Sequence, residues 1–495
     1  MGRRVVLLLV LLLALCACGC SRWPKEGRLR WVTLSDSGNA PLDAQEVIAA
    51  ANEVSREKIG LTVNLEFQPT EKLNLIMASG EYYDMVFTSS WANVFDKNAQ
   101  GGMFYDITDL VKTETPDLYE SIGRYWESGT VNGRIYGIPI LKDMGSEELF
   151  RLNADYFEEE KGMEIPERME GLGSVEPYLK VYKEDHPKKY PLDMSKAGMP
   201  GFLNCIERVV DGIIVIPYQQ ETEVPQVKAV WDCEELMERY RTLHRWYQAG
   251  YIHPDAATID STVGDKSIPV RFGVAWKGYM GYSNPADWGF QVKTSTFEGP
   301  FLSRQSGQGA MIGICAACSR ERAIECLKYI ELLSCDQKFR DILGYGIEGK
   351  HFEYLPNGTV LRTKTGSDRY APRLYTTGSV VNASVESISK EVLSDPDQWE
   401  KVFEEYEEKG IYSQTHGFAY DITRKEDIVS AVRAIFSDYN TDLRTGTSDP
   451  DQIMVKMKKR MEAAGIDELL SDIQGQLDEW FAEKGWEPHE ETEDE

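Results

Sequence analysis

Apolar positions along the chain switch between two periods, and the switches mark out strands and helices. Leu29-Arg-Trp-Val-Thr-Leu34 is an apolar strand ending in Ser35-Asp36-Ser37-Gly38. From Asp43 to Ile59 the apolar residues Val47, Ile48, Ala51 and Val54 fall at helical spacing, with Gly60 as the stop signal. Leu61 to Phe67 alternates apolar and polar, the pattern of a half-buried strand. A short helix over Glu71–Ala78, closed by Ser79-Gly80, leads to a third strand at Tyr83–Thr88. This β-α-β-α-β order predicts a parallel sheet with helices on its faces. Ligands of such sheets sit outside the carboxyl ends of the strands. Those ends carry Asp36 and Ser37 after the first strand, and Ser90, Trp91 and Asn93 after the third. Further on, Ala310–Ile314 followed by a helix at Arg320–Leu333 forms a βα unit able to rejoin the first sheet.

The most apolar stretch of all is at the amino end. Arg3 and Arg4 precede an unbroken apolar run from Val5 to Leu15, followed by Cys16-Ala17-Cys18-Gly19-Cys20. A basic start, an apolar segment and a small-residue exit make a signal peptide. The run is too short to span a membrane, which takes about 20 residues. Cysteine at the cut site, with Leu15 three positions before Cys18, resembles a bacterial lipobox. That resemblance implies a signal peptide over 1–17, a lipid on Cys18 and a tether over 18–27. Cys20 is the alternative, with Ala17 where leucine is preferred. The expected location is the outer face of a bacterial cell membrane, with lipid as the only membrane contact.

At 495 residues the chain exceeds the size at which one core usually splits, so two domains are expected. A hydrophobic content of 42% suffices to fill both cores. The net charge of −27 repels phosphate backbones and anionic headgroups, which excludes nucleic-acid binding and electrostatic membrane attachment. The tail over 487–495 is an acidic run. Outside the export segment stand Cys205, Cys233, Cys315, Cys318, Cys326 and Cys335. Cys315-Ala-Ala-Cys318 has redox-like spacing, but it follows an apolar run and has no second pair, so buried thiols are the preferred reading.

A series of weak motifs in a fixed order then points to a family. Ser79-Gly-Glu-Tyr-Tyr-Asp-Met85 is followed by Tyr105-Asp-Ile-Thr-Asp-Leu110 and Val131-Asn-Gly-Arg-Ile-Tyr-Gly-Ile-Pro139. Trp246 to His253, Leu343 to His351, Glu462 to Asp467 and Gln476 to Trp480 continue the series. Together, behind a lipobox, they resemble the extracellular solute-binding lipoproteins of ABC importers. The similarity is greatest to the LipO-like subgroup with an additional carboxy-terminal region of unknown function.

The resemblance implies an α/β, two-lobe, periplasmic-binding-protein-like fold, each lobe a sheet flanked by helices. It places the amino-terminal lobe at 28–143 and 298–350, and the carboxy-terminal lobe at 144–297 and 351–495. It also implies a monomer that closes on a soluble nutrient and hands it to permease subunits. An oligosaccharide is the preferred ligand and a peptide the alternative. Aromatic faces with amides, carboxylates and lysines beside them suit sugar rings and hydroxyls. The candidates are Asp36, Ser37, Ser90, Trp91, Asn93, Lys142, Asp143, Trp276, Lys277 and Tyr279. Trp246, Trp399 and Trp480 fall in helical patterns and are expected to be structural.

Catalytic signatures are missing from the sequence. It contains no His-Glu-x-x-His pair, Gly-x-Ser-x-Gly elbow or phosphate-binding Gly-x-x-x-x-Gly-Lys-Ser/Thr loop. Asp438, Asn440, Asp442 and Asp449 imitate part of a calcium loop, with Leu443 where glycine is required. The expectation is therefore a binding protein with no catalytic residues, cofactor or metal. An exported glycan-active enzyme and a surface adhesin stand as more distant alternatives.

Overall fold

The computed structural model describes residues 27–484 apart from 36–37, 143–144, 200, 219–223, 263–264, 266 and 276–288. The chain builds two α/β lobes. In the first, five strands lie in the order Thr62–Gln68, Arg28–Leu34, Met85–Thr88, Met311–Ile314, Gly137–Pro139. The alternating strand Thr62–Gln68 lies at the edge and buries every second residue. The continuous apolar strand Met85–Thr88 is central and wholly buried. Between the first two strands runs the helix Ala44–Ile59. Gly60 ends it in the left-handed region at φ 73°, which glycine adopts without strain, and its N–H returns to the Arg56 carbonyl at 3.0 Å.

Met311–Ile314 does rejoin this sheet, but antiparallel to both neighbours. The first three strands are parallel, as expected, and this returning strand makes the whole sheet mixed. The reason is geometric: the chain returns from the second lobe and enters the sheet at the carboxyl ends of its partners.

The second lobe holds a four-stranded sheet in the order Val270–Ala275, Ser146–Asn153, Val292–Leu302, Ile411–Tyr412, and a three-stranded antiparallel sheet over 206–229. Phe150 and Phe297 stack in its core at 4.9 Å between ring centres, and Trp246 is fully buried there, as expected for a structural tryptophan.

Among the described residues the chain crosses from one lobe to the other between Lys142 and Gly145, over 303–310, and at the short step between the helix Gln398–Lys409 and the strand Ile411–Tyr412. The last of these corrects the expected assignment of 351–495 to one lobe. Tyr370, Val380, Trp399, Val402 and Tyr406 pack into the first core, whereas Tyr420, Val432, Met457 and Ile473 pack into the second. Polar contacts fix the misassigned part. Asp43 accepts from Arg369 at 2.6 Å and from His351 at 3.1 Å, and these partners together with Lys350 hold its carboxyl well below the usual range. The buried Arg340 donates to the Leu374 carbonyl at 2.7 Å. The segment 351–410 is thus bonded to the first lobe.

Of the six body cysteines all are free; five are buried and Cys335 is exposed. The residues that imitate a calcium loop have other tasks: Asp449 caps the helix Pro450–Ala463, and Asp438 pairs with Arg460 at 2.8 Å.

Candidate functional site

The carboxyl ends of the first-lobe strands face the crossings, and the turn after Thr88 is built from short polar side chains. Ser89 Oγ accepts from the N–H groups of Ala92 at 2.8 Å and Trp91 at 3.3 Å. Asn93 takes a left-handed φ of 49°, which Asn tolerates better than most residues. Its amide donates to the Phe87 carbonyl at 2.8 Å and accepts from Asn98 at 2.9 Å. With 2% exposure, Asn93 shapes the turn from inside.

That turn presents Trp91. The indole N–H donates to the Gly309 carbonyl at 2.8 Å, and the ring meets Phe87 and Tyr375 edge-on at 6.1 and 6.5 Å. Half of the residue, 53%, stays exposed. Covering an aromatic of this size normally stabilises a fold by about 2 kcal/mol or more, so an ordered, half-exposed tryptophan is a candidate for contact with something else. Lys142 Nζ lies 4.4 Å from the centre of the Tyr375 ring. Tyr375 therefore joins two predicted residues, Trp91 and Lys142, into one cluster. Sequence reasoning missed it because its segment was assigned to the other lobe. Asp36, Ser37, Asp143, Trp276, Lys277, Tyr279 and Cys18 lie outside the described residues.

One residue back, Ser90 donates its N–H to the Gln308 carbonyl at 2.9 Å and lines a cavity of about 470 Å³ between the lobes. The first lobe contributes Asp96, Lys97 and Gln100 to its lining, and the second contributes Glu207, Arg208 and Tyr420. Arg304 and Gln308, on the crossing 303–310, also line it. Arg304 donates to Asp96 at 2.6 Å and to the Thr130 carbonyl at 3.0 Å, while Gln308 donates to Asp96 at 3.1 Å and to the Ser128 carbonyl at 2.9 Å.

On the other side of this crossing, Glu207 accepts from the Arg304 N–H at 3.4 Å. Burial pushes its carboxyl up to about 7, against the pull of Ser413 and the Arg304 N–H. Because the folded value lies above the ordinary 4.5, folding favours the protonated acid. Its contribution is complete below about pH 4.5 and is lost as pH rises through 7, at a slope of up to about 1.4 kcal/mol per pH unit. The thermal midpoint should therefore fall between pH 5 and pH 7.5, and Glu207→Gln should flatten part of that fall. Equal slopes in the two proteins would show that Glu207 is not the titrating group.

A family model described as a domain of unknown function, DUF3502, matches residues 414–482. A Streptococcus pneumoniae protein named a carbohydrate ABC transporter substrate-binding protein is 26% identical over 486 residues, 92% of this chain and 91% of that one. Lipoprotein LipO of Bacillus subtilis is 21% identical over 338 residues, 64% of this chain and 66% of its own. The solved N-glycan transport solute binding protein of S. pneumoniae superposes with a TM-score of 0.80 at 24% identity, over 93% of this chain and 100% of that one. The same protein in complex with Man5GlcNAc gives 0.74. In its two lobes and over nearly its whole length, the chain is similar to a carbohydrate ABC transporter substrate-binding protein.

Proposed function

We propose that this protein captures an oligosaccharide between its lobes and delivers it, chemically unaltered, to the permease subunits of an ABC importer. The observation that carries the proposal is the half-exposed Trp91, held by Tyr375 and Lys142 at the strand ends that face the crossings. Aromatic faces take up the C–H faces of sugar rings, while the lysine and neighbouring main-chain groups suit hydroxyls. The N-glycan transport relative, crystallised with Man1GlcNAc and Man5GlcNAc, supports mannose-containing glycans as the ligand class. In this reading Cys18 carries the lipid that keeps a monomeric protein at the outer membrane face.

Binding works through the hinge. A ligand that touches both lobes binds the closed form more tightly than the open one, and that difference in affinity is what closes them. The described connections over 303–310 and between Lys409 and Ile411 are short, so the lobes can move as bodies while each core stays packed.

Calorimetric titration with high-mannose glycans and with short peptides tests the proposal. The expected result is saturable one-to-one binding of a glycan and no heat from peptides. Peptide binding, or turnover of the glycan during the titration, would overturn it.

A further inference from the structure

The region that matches DUF3502 is both part of the second core and its reach toward the first lobe. Its helices bury Val432, Met457 and Ile473 in that core, and Phe481 packs with Ile216 of the three-stranded sheet. The loop that opens the region is pinned to the last helix, Ile466–Lys484. Tyr420 donates its hydroxyl to Asp472 at 3.0 Å, the Asp421 N–H donates to Gln476 at 3.0 Å, and the Phe418 ring meets Trp480 at 5.9 Å. The pinned loop touches the first lobe directly. Gln100 donates its side-chain amide to the Tyr420 carbonyl at 2.9 Å, and His416 Nε2 lies 3.7 Å from Glu127 Oε2. The same loop lines the interlobe cavity with Thr415, Phe418 and Tyr420, where the first lobe contributes Asp96 and Gln100.

From this arrangement we propose that the DUF3502 region is the second lobe's half of a lobe-to-lobe contact that sets the balance between open and closed forms. The loop is anchored to its own helices, so it moves with the second lobe, and Gln100 and Glu127 move with the first. A change in lobe separation must break or remake these contacts. A contact present in one arrangement and lost in the other weights the equilibrium between them. Ligand affinity follows, because binding is reduced by whatever fraction of the protein is not in the competent form. This last step rests on the oligosaccharide-capture reading; the contact itself does not.

Two variants test it, one on each lobe: Gln100→Leu and His416→Gln. Both side chains are partly exposed, and neither belongs to the Trp91, Tyr375 and Lys142 cluster. The ligand-free radius of gyration from small-angle scattering and the Kd for Man5GlcNAc are measured on the full chain. Each variant should shift Kd by about fivefold, the effect of one hydrogen bond of ordinary net strength. The sign must track the radius: a smaller ligand-free radius goes with tighter binding, a larger one with weaker binding. An unchanged radius in both variants overturns the proposal, even if Kd changes, because the residues would then be ligand contacts. If the wild-type chain binds no glycan but the variants shift the radius, the capture reading fails and this contact stands. A folding defect in one variant leaves the other as the test.

Discussion

Arg239→Met should destabilise the protein by about 3–5 kcal/mol in urea titration at pH 7, the cost of removing one partner from a buried ion cluster. Arg239, on the helix Glu234–Gln248, is 4% exposed and donates to Glu148 at 2.8 Å, to the Phe202 carbonyl at 2.9 Å and to Glu298. Glu148 and Glu298 are direct partners on adjacent strands of the four-stranded sheet. Like charges facing each other across a sheet repel, and Glu148 is fully buried. Burial, helped by the neighbouring Glu298 carboxyl, raises the Glu148 carboxyl to about 8 even against the pull of Arg239. Without the guanidinium, Glu148 loses its pull back toward the charged form, and Glu148 and the Phe202 carbonyl are left without their buried donor. A triple change, Arg239→Met with Glu148→Gln and Glu298→Gln, should recover much of the loss, because neutral partners need no compensating charge. A loss under about 1 kcal/mol for Arg239→Met alone would place the cluster in the range of a solvated surface pair.

Trp91→Ala should weaken glycan binding by about 30-fold, the equivalent of about 2 kcal/mol for an aromatic anchor at the centre of a contact. The ligand-free melting temperature should change little, since half of the ring already faces solvent. Tyr375→Ala should lower affinity as well, with less than additive losses in the double variant, because the two rings touch. Calorimetry on the two single variants and the double variant checks all of this. Wild-type affinity in Trp91→Ala would remove the cluster from the ligand site.

Local order was legible in the sequence where one segment carried the whole signal. Periodicity and Gly60 define the helix Ala44–Ile59 without help from elsewhere, and alternation defines Leu61–Phe67 as a strand, which the structure places at the sheet edge as Thr62–Gln68. Its place after the third strand made Trp91 a candidate, and the structure leaves half of it exposed there. What the pattern could not name was a partner. The amphipathic helix Gln398–Lys409 buries Trp399 and Val402, yet nothing in its spacing says which core receives them. Tyr375 was missed for the same reason. Asn93 shows the reverse limit: a polar residue at a strand end reads as a ligand contact until its amide is seen bonded to the Phe87 carbonyl. Arg239 gave no signal at all, because its two carboxylates lie 91 and 59 positions away.

The triple exchange of chain between the lobes bears on how the molecule is made. Neither half is a contiguous stretch, so during synthesis the first cannot be completed until Tyr406 has emerged, by which time most of the second is also present. Both must therefore consolidate late and together, through contacts between distant parts of the polypeptide. Such topologies fold slowly and leave apolar surface open to misassociation in the meantime.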